Sequence, residues 1–176
     1  EAAGIPVFVV KNAVNLEETY ETIEQIGQLI GREAEAKKVN ENIQTKLAAL
    51  QEKVKDVEPK TAFVVVGVQP QIYAVGKGTY MDEMLNILNI KNEVTQSGWP
   101  EYSAEDFVAS DADIILTTYE SDIEAIKGNP LFATMKAVQS NQLLLVDGDT
   151  TSRQGPRLAE GVENIAKAVY PELFNE

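Results

Sequence analysis

Residues 15–56 read NLEETYETIEQIGQLIGREAEAKKVNENIQTKLAALQEKVKD, and this stretch decides how the chain is built. Asn15 is a suitable N-cap, because its side-chain oxygen can accept a hydrogen bond from a free backbone N–H of the first turn. Apolar residues then recur at three- and four-residue spacing: Leu16, Tyr20, Ile23, Ile26, Ile30, Val39, Ile43, Leu47, Leu50 and Val54. This period predicts helix almost throughout, roughly 60 Å long if it is continuous.

Two glycines, Gly27 and Gly31, weaken the middle of this predicted helix. One kinked helix and two helices in tandem are therefore both open. Half of the length would suit a surface helix packed on a sheet. The full length is better explained by a long helix that ties two bodies together.

The segment after this helix alternates strands with helices. Three near-continuous apolar runs, residues 61–68, 113–118 and 142–146, are typical of a parallel sheet covered on both faces. Thr79 and Ser103 are predicted N-caps, a helix is predicted over 131–138, residues 147–155 are predicted as a polar loop, and Pro156 as the start of the last helix. The alternation predicts an α/β fold, a Rossmann-like body with a mostly parallel sheet.

The segment before the helix is a short apolar run, Gly4-Ile-Pro-Val-Phe-Val-Val10. Its β-branched composition predicts a buried strand entered from a turn. No partner strand precedes it in this sequence. We therefore expect it to be the last strand of another body, followed by a loop at 11–14.

Composition excludes several classes of function. The 176 residues have a net charge of −13 and contain no histidine and no cysteine. These absences argue against thiolate nucleophiles, the usual zinc sites and His-based acid–base chemistry, and the negative charge opposes nucleic-acid binding. No membrane span or signal peptide is visible, and the chain begins without Met, so we expect any targeting segment or anchor to lie upstream.

Two loops resemble ligand motifs without matching them. Gly76-Lys77-Gly78-Thr79 lacks the spacing of a phosphate-binding P-loop, and a turn followed by a helix cap explains it better. The loop from Asp147 lacks the glycine and the final glutamate of a calcium loop. A small nucleotide-dependent enzyme stays as the rival from another class, and a partner-binding domain that dimerises through the long helix as a second.

Trp99 is the only tryptophan of the chain. A lone tryptophan is more often a core residue than an exposed one. Here it lies between Gly98 and Pro100 in a predicted loop, which favours a ring presented at a rim, where it can contact a flat ligand.

Charged residues near two helix starts have alternative interpretations. Arg153 and Arg157 lie around the start of the last helix, where cations are mildly unfavourable, so they call for an anionic or amide-rich partner. Asp149, four residues before Arg153, could instead form a local salt bridge with it. Glu105 complements the dipole of its own helix, and this suffices to explain it.

Several segments together resemble a known family. They are the Gly4-Ile-Pro run leading into Asn15-Leu-Glu-Glu, then residues 26–36 (IGQLIGREAEA), 73–79 (YAVGKGT), 99–105 (WPEYSAE), 111–115 (DADII) and 153–161 (RQGPRLAEG). In this order they resemble the C-terminal part of bacterial ABC-importer substrate-binding proteins for cobalamin, ferric siderophores or haem.

The resemblance implies a two-lobed architecture in which one long helix joins two α/β lobes and the ligand lies between them. Residues 1–14 would be a remnant of the N-terminal lobe, 15–58 the long helix and 59–176 the C-terminal ligand-binding lobe. The protein would be no enzyme, would carry no cofactor or metal, and would work as an extracytoplasmic monomer, periplasmic or lipid-anchored.

The resemblance also implies roles for four residues. Trp99, Asp149 and Arg153 would bind the ligand, and Glu105 would dock to arginines of the membrane permease. Trp99 before a proline, and Asp149 four residues before Arg153, favour cobalamin over the alternatives, a ferric siderophore or haem. These residues suit a corrin edge that carries amides.

Overall fold

The predicted long helix is two helices that pack side by side. A computed structural model describes residues 4–174, with α1 spanning Leu16–Leu29 and α2 spanning Glu33–Val54. Asn15 caps α1 and accepts a hydrogen bond from the Glu18 backbone N–H, as expected. The continuous 60 Å rod is wrong, and of the two alternatives the structure has two helices in tandem.

The break between α1 and α2 follows from the two glycines. Gly31 adopts a φ of 68°, a left-handed conformation that ends α1. A Cβ on Gly27 would lie 2.4 Å from Cβ of Ala36, so glycine permits the close approach. Asn40 Nδ2 donates to the Tyr20 carbonyl at 3.0 Å. Residue 27 thus lies beside 36, and residue 20 beside 40. Because positions further back along α1 meet positions further along α2, the two helices run antiparallel.

Helix α2 belongs to the core of the body that follows it. Its buried side chains Ile43, Leu47, Leu50 and Val54 join the apolar cluster formed by α3 (Tyr80–Ile87), α8 (Leu158–Val169) and one face of the sheet. Helix α2 is about 33 Å long for its 22 residues and packs on this body. That the helical segment joins two bodies stays a prediction. The domain boundaries at residues 14 and 58 stay a prediction.

The apolar run 4–10 does not form the predicted buried strand. These residues have no regular secondary structure, and Ile5, Val7, Phe8 and Val9 are more than half exposed. A strand needs a neighbour for its backbone hydrogen bonds, and none of the strands in the described chain pairs with this run.

Within residues 4–174 the sheet has six strands, four of which pair in parallel. Strand β1 pairs in parallel with β3 and β5, and β5 with β6, whereas β2 and β4 are antiparallel additions. The order is β4-β2-β1-β5-β6, with β3 beside the start of β1. The strands are β1 Lys60–Gly67, β2 Ile72–Ala74, β3 Ile90–Asn92, β4 Glu101–Tyr102, β5 Ile114–Thr117 and β6 Leu143–Leu145. The predicted α/β class with a mostly parallel sheet is confirmed.

Both faces of the central strands are buried, which explains their continuous apolar sequences. Ala62 and Val64 of β1 face the cluster with α2, α3 and α8, whereas Phe63 and Val65 face a second cluster on the other side. In that second cluster the ring of Phe107 contacts Phe63 at 4.8 Å between centroids and Phe132 at 5.2 Å. The body is therefore a three-layer α/β/α sandwich.

The remaining helices confirm two predicted caps and correct two bounds. Thr79 and Ser103 cap α3 and α4 through their side chains. The predicted helix 131–138 is a 3₁₀ turn, Pro130–Phe132, followed by α6, and the predicted loop 147–155 contains a short helix, α7. The helices are α3 Tyr80–Ile87, α4 Ala104–Ser110, α5 Glu120–Gly128, α6 Lys136–Gln139, α7 Gly148–Thr151 and α8 Leu158–Val169. No helix within residues 4–174 is long and apolar enough to cross a membrane.

Candidate functional site

An open cavity of about 370 Å³ lies where the central parallel strands end. Val66 near the end of β1, the loop that follows β5 and the segment that follows β6 meet there. Ligands of parallel α/β sheets bind at this edge. The lining residues are Asn12, Val66, Tyr80, Met81, Trp99, Thr118, Tyr119, Ser152 and Gln154. The cavity therefore combines three aromatic rings with uncharged polar groups.

Trp99 is held at the rim of this cavity by a clamp between two loops. The Gly76 backbone N–H donates to the Gly98 carbonyl at 2.7 Å, and the Gly98 N–H donates to the Lys77 carbonyl at 3.1 Å. A Cβ on Gly76 would lie 2.3 Å from the Gln96 carbonyl oxygen, so the clamp requires glycine there. The indole is 48% exposed, in the rim position that its loop indicated. Its binding role stays a prediction.

The other two aromatic residues of the cavity were not predicted from the sequence. Tyr119 is 57% exposed and follows β5 by two residues, a position where parallel sheets commonly place ligand contacts. That position was a usable signal. Tyr80 is the first residue of α3, and its ring lies 6.2 Å from the Trp99 ring at an angle of 55°. No local sequence pattern indicates the contact between Tyr80 and Trp99, because tertiary packing brings the two residues together.

Asp149 and Arg153 form an ion pair at the edge of the same cavity. Asp149 Oδ1 and Arg153 Nη2 are 3.2 Å apart, with side chains 67% and 74% exposed. Neither lines the cavity directly, although Ser152 and Gln154, on either side of Arg153, do. The local salt bridge considered from the sequence is present, and a ligand role remains a prediction beside it. Arg157 Nη2 reaches the Asp149 carbonyl at 3.4 Å.

The helix α7 that carries Asp149 is seated firmly on α8. Thr150 is buried, and its hydroxyl accepts a hydrogen bond from Asn164 Nδ2 at 3.0 Å. A Cβ on Gly161 would lie 2.4 Å from the Thr150 carbonyl oxygen. Asp147 caps α7, and hydrogen bonds from the Thr150 hydroxyl and the Asp149 N–H lower the pKa of Asp147. The ion pair is thus presented from a fixed segment.

Glu105 lies in the first turn of α4 with its side chain exposed. It borders a small hollow that also contains Val108 and the exposed Leu131. Among the ion pairs within residues 4–174, none involves Glu105. Its carboxylate is therefore available to a partner, and the permease-docking role stays a prediction.

A larger groove of about 750 Å³ lies on another flank, among the loop 68–72, α4 and the 3₁₀ turn. It contains none of the residues predicted to bind ligand, and its aromatic side chains, Tyr102 and Phe132, mainly pack inward. In the described part of the chain, no group of three or more His, Cys, Asp or Glu side chains could hold a metal ion. The smaller cavity beside Trp99 is thus the stronger candidate.

The groups of the Gly76–Thr79 loop that could bind a phosphate are largely bonded within the protein. Asp82, which is buried, accepts hydrogen bonds from the Gly78 N–H at 3.2 Å and from Lys77 Nζ at 3.3 Å. Lys77 Nζ also donates to the Asn92 carbonyl. Because a carboxylate already occupies the loop and its lysine, a phosphate would meet like charge. The loop is a structural turn.

Comparison with known proteins identifies similar chains along nearly the whole length. A family model described as periplasmic binding protein matches residues 1–150. An uncharacterized ABC transporter substrate-binding lipoprotein of Bacillus subtilis is 37% identical over 99% of this chain and 57% of its own length. A cobalamin-binding protein of Halobacterium salinarum is 24% identical over 96% of this chain and 48% of its own.

One solved structure combines high similarity in fold and in sequence. It is a periplasmic solute-binding protein from Staphylococcus epidermidis, described as a possible iron-binding protein. It is 34% identical and has a TM-score of 0.87, over 96% of this chain and 68% of that one. The present chain spans about half the length of the curated relatives it matches.

Proposed function

The chain belongs to the periplasmic binding protein family, as its sequence indicated, and from this premise we propose that it captures cobalamin for an ABC importer. In this role it is a binding protein and not an enzyme, so the rival nucleotide-dependent enzyme is set aside. The observation that carries the ligand proposal is the uncharged cavity beside Trp99 and Tyr119. It works outside the cytoplasmic membrane, in the periplasm or as a lipoprotein, as relatives of this family do.

The charge of the cavity selects among ligands. Among the described residues that line it there is no Asp, Glu, Lys, Arg or His. A ligand that buried carboxylates there would lose their hydration without gaining a charged partner, which is unfavourable. A neutral ligand that presents amides and an apolar face avoids this cost. Cobalamin has this character on its corrin edge.

The predicted ligand-binding residues fit an amide-bearing edge. Trp99 offers half of its indole surface to an apolar face. Asp149 can accept from an amide N–H while Arg153 donates to an amide oxygen, and the two charges compensate each other at 3.2 Å. Together Asp149 and Arg153 would bind the polar rim of the ligand without favouring a ligand of positive or negative net charge.

A ferric siderophore or haem is the alternative ligand in the same role. It is supported by the 34% identical Staphylococcus epidermidis protein that is described as a possible iron-binding protein. A neutral ferric hydroxamate would suit the uncharged cavity, whereas haem propionates would have to pair with Arg153 or Arg157 at its edge. The ligand class is therefore the quantity to measure.

Delivery requires a second contact, and we propose that Glu105 provides it. Its exposed carboxylate has no ion-pair partner in the described chain, so it can meet a basic group of an ABC permease without first breaking a bond. Leu131 beside it adds exposed apolar surface.

The test is to titrate the full-length natural protein with cyanocobalamin, a ferric hydroxamate and haemin, and to measure each affinity by calorimetry. We expect cyanocobalamin to bind most tightly and W99A to weaken it by about tenfold or more, as for a central aromatic contact. Y73A is the matched control, because Tyr73 is similarly exposed but does not line the cavity.

Two results would contradict the proposal. One is tight binding of haemin with no binding of cyanocobalamin, and the other is equal affinity in W99A and wild type. Residues 1–176 alone should bind weakly, since ligand pockets usually enclose most of their ligand.

A further inference from the structure

Tyr80 is a buried side chain whose hydroxyl has no hydrogen-bond partner among the residues that the structure describes. The residue is 4% exposed and lines the cavity beside Trp99. Within residues 4–174 its hydroxyl makes no hydrogen bond. The only side-chain atom there that is both unpaired and fully enclosed is Asn40 Oδ1. The Tyr80 hydroxyl is therefore not fully enclosed, and the residue that carries it lines an open cavity. It is an unpaired donor at the edge of an open site.

Another buried tyrosine shows that this arrangement is unusual for the molecule. Tyr170 is fully buried, and its hydroxyl donates to the Leu88 carbonyl at 3.1 Å. Buried hydroxyls are almost always bonded in this way, because an unpaired polar group loses its hydration on burial. Tyr80 accordingly lacks a partner that Tyr170 has.

We propose that Tyr80 is a further ligand-binding residue, whose hydroxyl donates a hydrogen bond to an uncharged carbonyl oxygen on the inner edge of the ligand. This inference rests on the proposed function, since it assigns the same cavity. Trp99 and Tyr119 contact the ligand at the rim, and Tyr80 contacts the part that enters the cavity. The partner is an amide carbonyl of the kind that a corrinoid carries.

The protonation of Tyr80 supports a donor over a metal ligand. Burial raises the pKa of Tyr80 to about 12, so the phenol stays neutral at physiological pH. A neutral phenol donates well to a carbonyl oxygen, whereas binding to ferric iron requires the phenolate. None of the described residues that line the cavity itself is a cation that would stabilise a phenolate.

The substitution Y80F separates a ligand contact from a structural role. It removes one oxygen and keeps the ring against Trp99. In the full-length protein, we expect cyanocobalamin affinity to fall roughly 3- to 10-fold, the range for one neutral hydrogen bond. The free protein should melt at an unchanged or slightly higher temperature, because no internal bond is lost. Calorimetric titration of wild type and Y80F with cyanocobalamin measures the two affinities.

Two control variants bracket the result. Y170F should lower the melting temperature, because it removes a buried internal bond, while leaving affinity for cyanocobalamin unchanged. Y73F should change neither. If Y80F binds as wild type does, or melts lower as Y170F does without losing affinity, the assignment of Tyr80 is wrong and the proposed function stands.

Other outcomes identify a different failure. If the wild-type protein binds a ferric probe with a phenolate-to-iron absorption band that Y80F abolishes, Tyr80 is a metal ligand and the neutral-donor proposal is overturned. If the wild type binds none of cyanocobalamin, ferric hydroxamate and haemin, the proposed function fails, and the ligand assigned to Tyr80 fails with it.

Discussion

The side-chain amide of Gln154 donates a hydrogen bond to the backbone carbonyl of Ala13 at 3.1 Å, across 141 residues of sequence. Gln154 also lines the cavity that contains Trp99. The segment that precedes α1 is thereby attached to the same loop that shapes the candidate site. Leu16 adds a second attachment, because its backbone N–H donates to Glu83 Oε2 at 2.8 Å.

Removing the Gln154 amide should loosen this attachment. In Q154A the buried Ala13 carbonyl loses its partner, and we expect the free energy of unfolding to fall by about 1 kcal/mol. Amide hydrogen exchange at residues 12–16 should accelerate more than at β1. Q51A, at an exposed position of α2, is the control. Equal exchange in Q154A and wild type would show that the bond does not hold the segment.

The contact between α7 and α8 predicts that Gly161 is required at its position. A Cβ there would meet the Thr150 carbonyl at 2.4 Å and Met84 Cε at 3.1 Å. G161A should therefore lower stability by about 1–3 kcal/mol through overpacking. It should also weaken cyanocobalamin binding, because α7 carries Asp149. Denaturant unfolding and calorimetry measure the two effects.

Gly128 provides the matched control for that substitution. It is the last residue of α5, is exposed, and has nothing within 4 Å of an added Cβ. G128A should be neutral or stabilise the protein by up to about 1 kcal/mol, since alanine favours helix over glycine. A destabilisation equal to that of G161A would indicate a general cost of alanine rather than the α7 contact.

Asp113 makes stability depend on pH at the opposite end of the sheet. Hydrogen bonds from Lys136 Nζ and from the N–H and hydroxyl of Thr61 lower the pKa of Asp113 to about 2. A lowered folded-state pKa contributes stability that is present above the ordinary value near 4. That stability is lost as pH falls toward about 2. Because the group is partly exposed, we expect about 1–2 kcal/mol.

The variant D113N tests that contribution. It should be less stable than wild type at pH 7 by this amount, and the difference should shrink between about pH 4 and pH 2. D56N, which alters an exposed aspartate, should follow the wild-type curve. A difference between D113N and wild type that stays constant down to pH 2 would contradict the assignment. Urea unfolding at a series of pH values supplies the data.

Local chemistry in the sequence is enough to place much of this fold. Asn15, Thr79 and Ser103 each accept the cap hydrogen bond that their position indicated. The apolar runs of β1 and β5 are visible because both of their faces are buried, and the run of β6 is visible as four consecutive apolar residues, 143–146. The short strands β3 and β4 contain polar and charged residues and no continuous apolar run, so their sequences carry too little pattern to be predicted.

Features that depend on contacts between residues distant in the sequence could not be predicted. The apolar period continues across Gly31, so it does not show that α2 turns back along α1. The exposed state of residues 5–9 likewise depends on which strands are present to pair. In the site, the flanking Gly98 and Pro100 made Trp99 identifiable, whereas Tyr80 reaches the same cavity only through packing of α3.

The ion pair of Asp149 and Arg153 should matter to binding and hardly at all to folding. Both side chains are well exposed, so a double-mutant cycle of D149A and R153A should give a coupling below about 0.5 kcal/mol in unfolding. In cyanocobalamin binding, each variant should lose about tenfold in affinity, with coupling near 1 kcal/mol because both contact one polar rim. Scanning calorimetry and titration calorimetry on wild type, D149A, R153A and the double variant measure the coupling in unfolding and the coupling in binding.

The exposed pair of Arg32 and Glu35, 2.8 Å apart at the start of α2, is the control for that cycle, because neither residue lines the cavity. R32A and E35A should likewise have little effect on stability, but they should leave cyanocobalamin affinity unchanged. Binding losses confined to D149A and R153A would separate a ligand contact from a surface salt bridge. Wild-type affinity in D149A and R153A would mean that the local pair is the whole role of these residues, and that Trp99 and the cavity behind it bind the ligand without them.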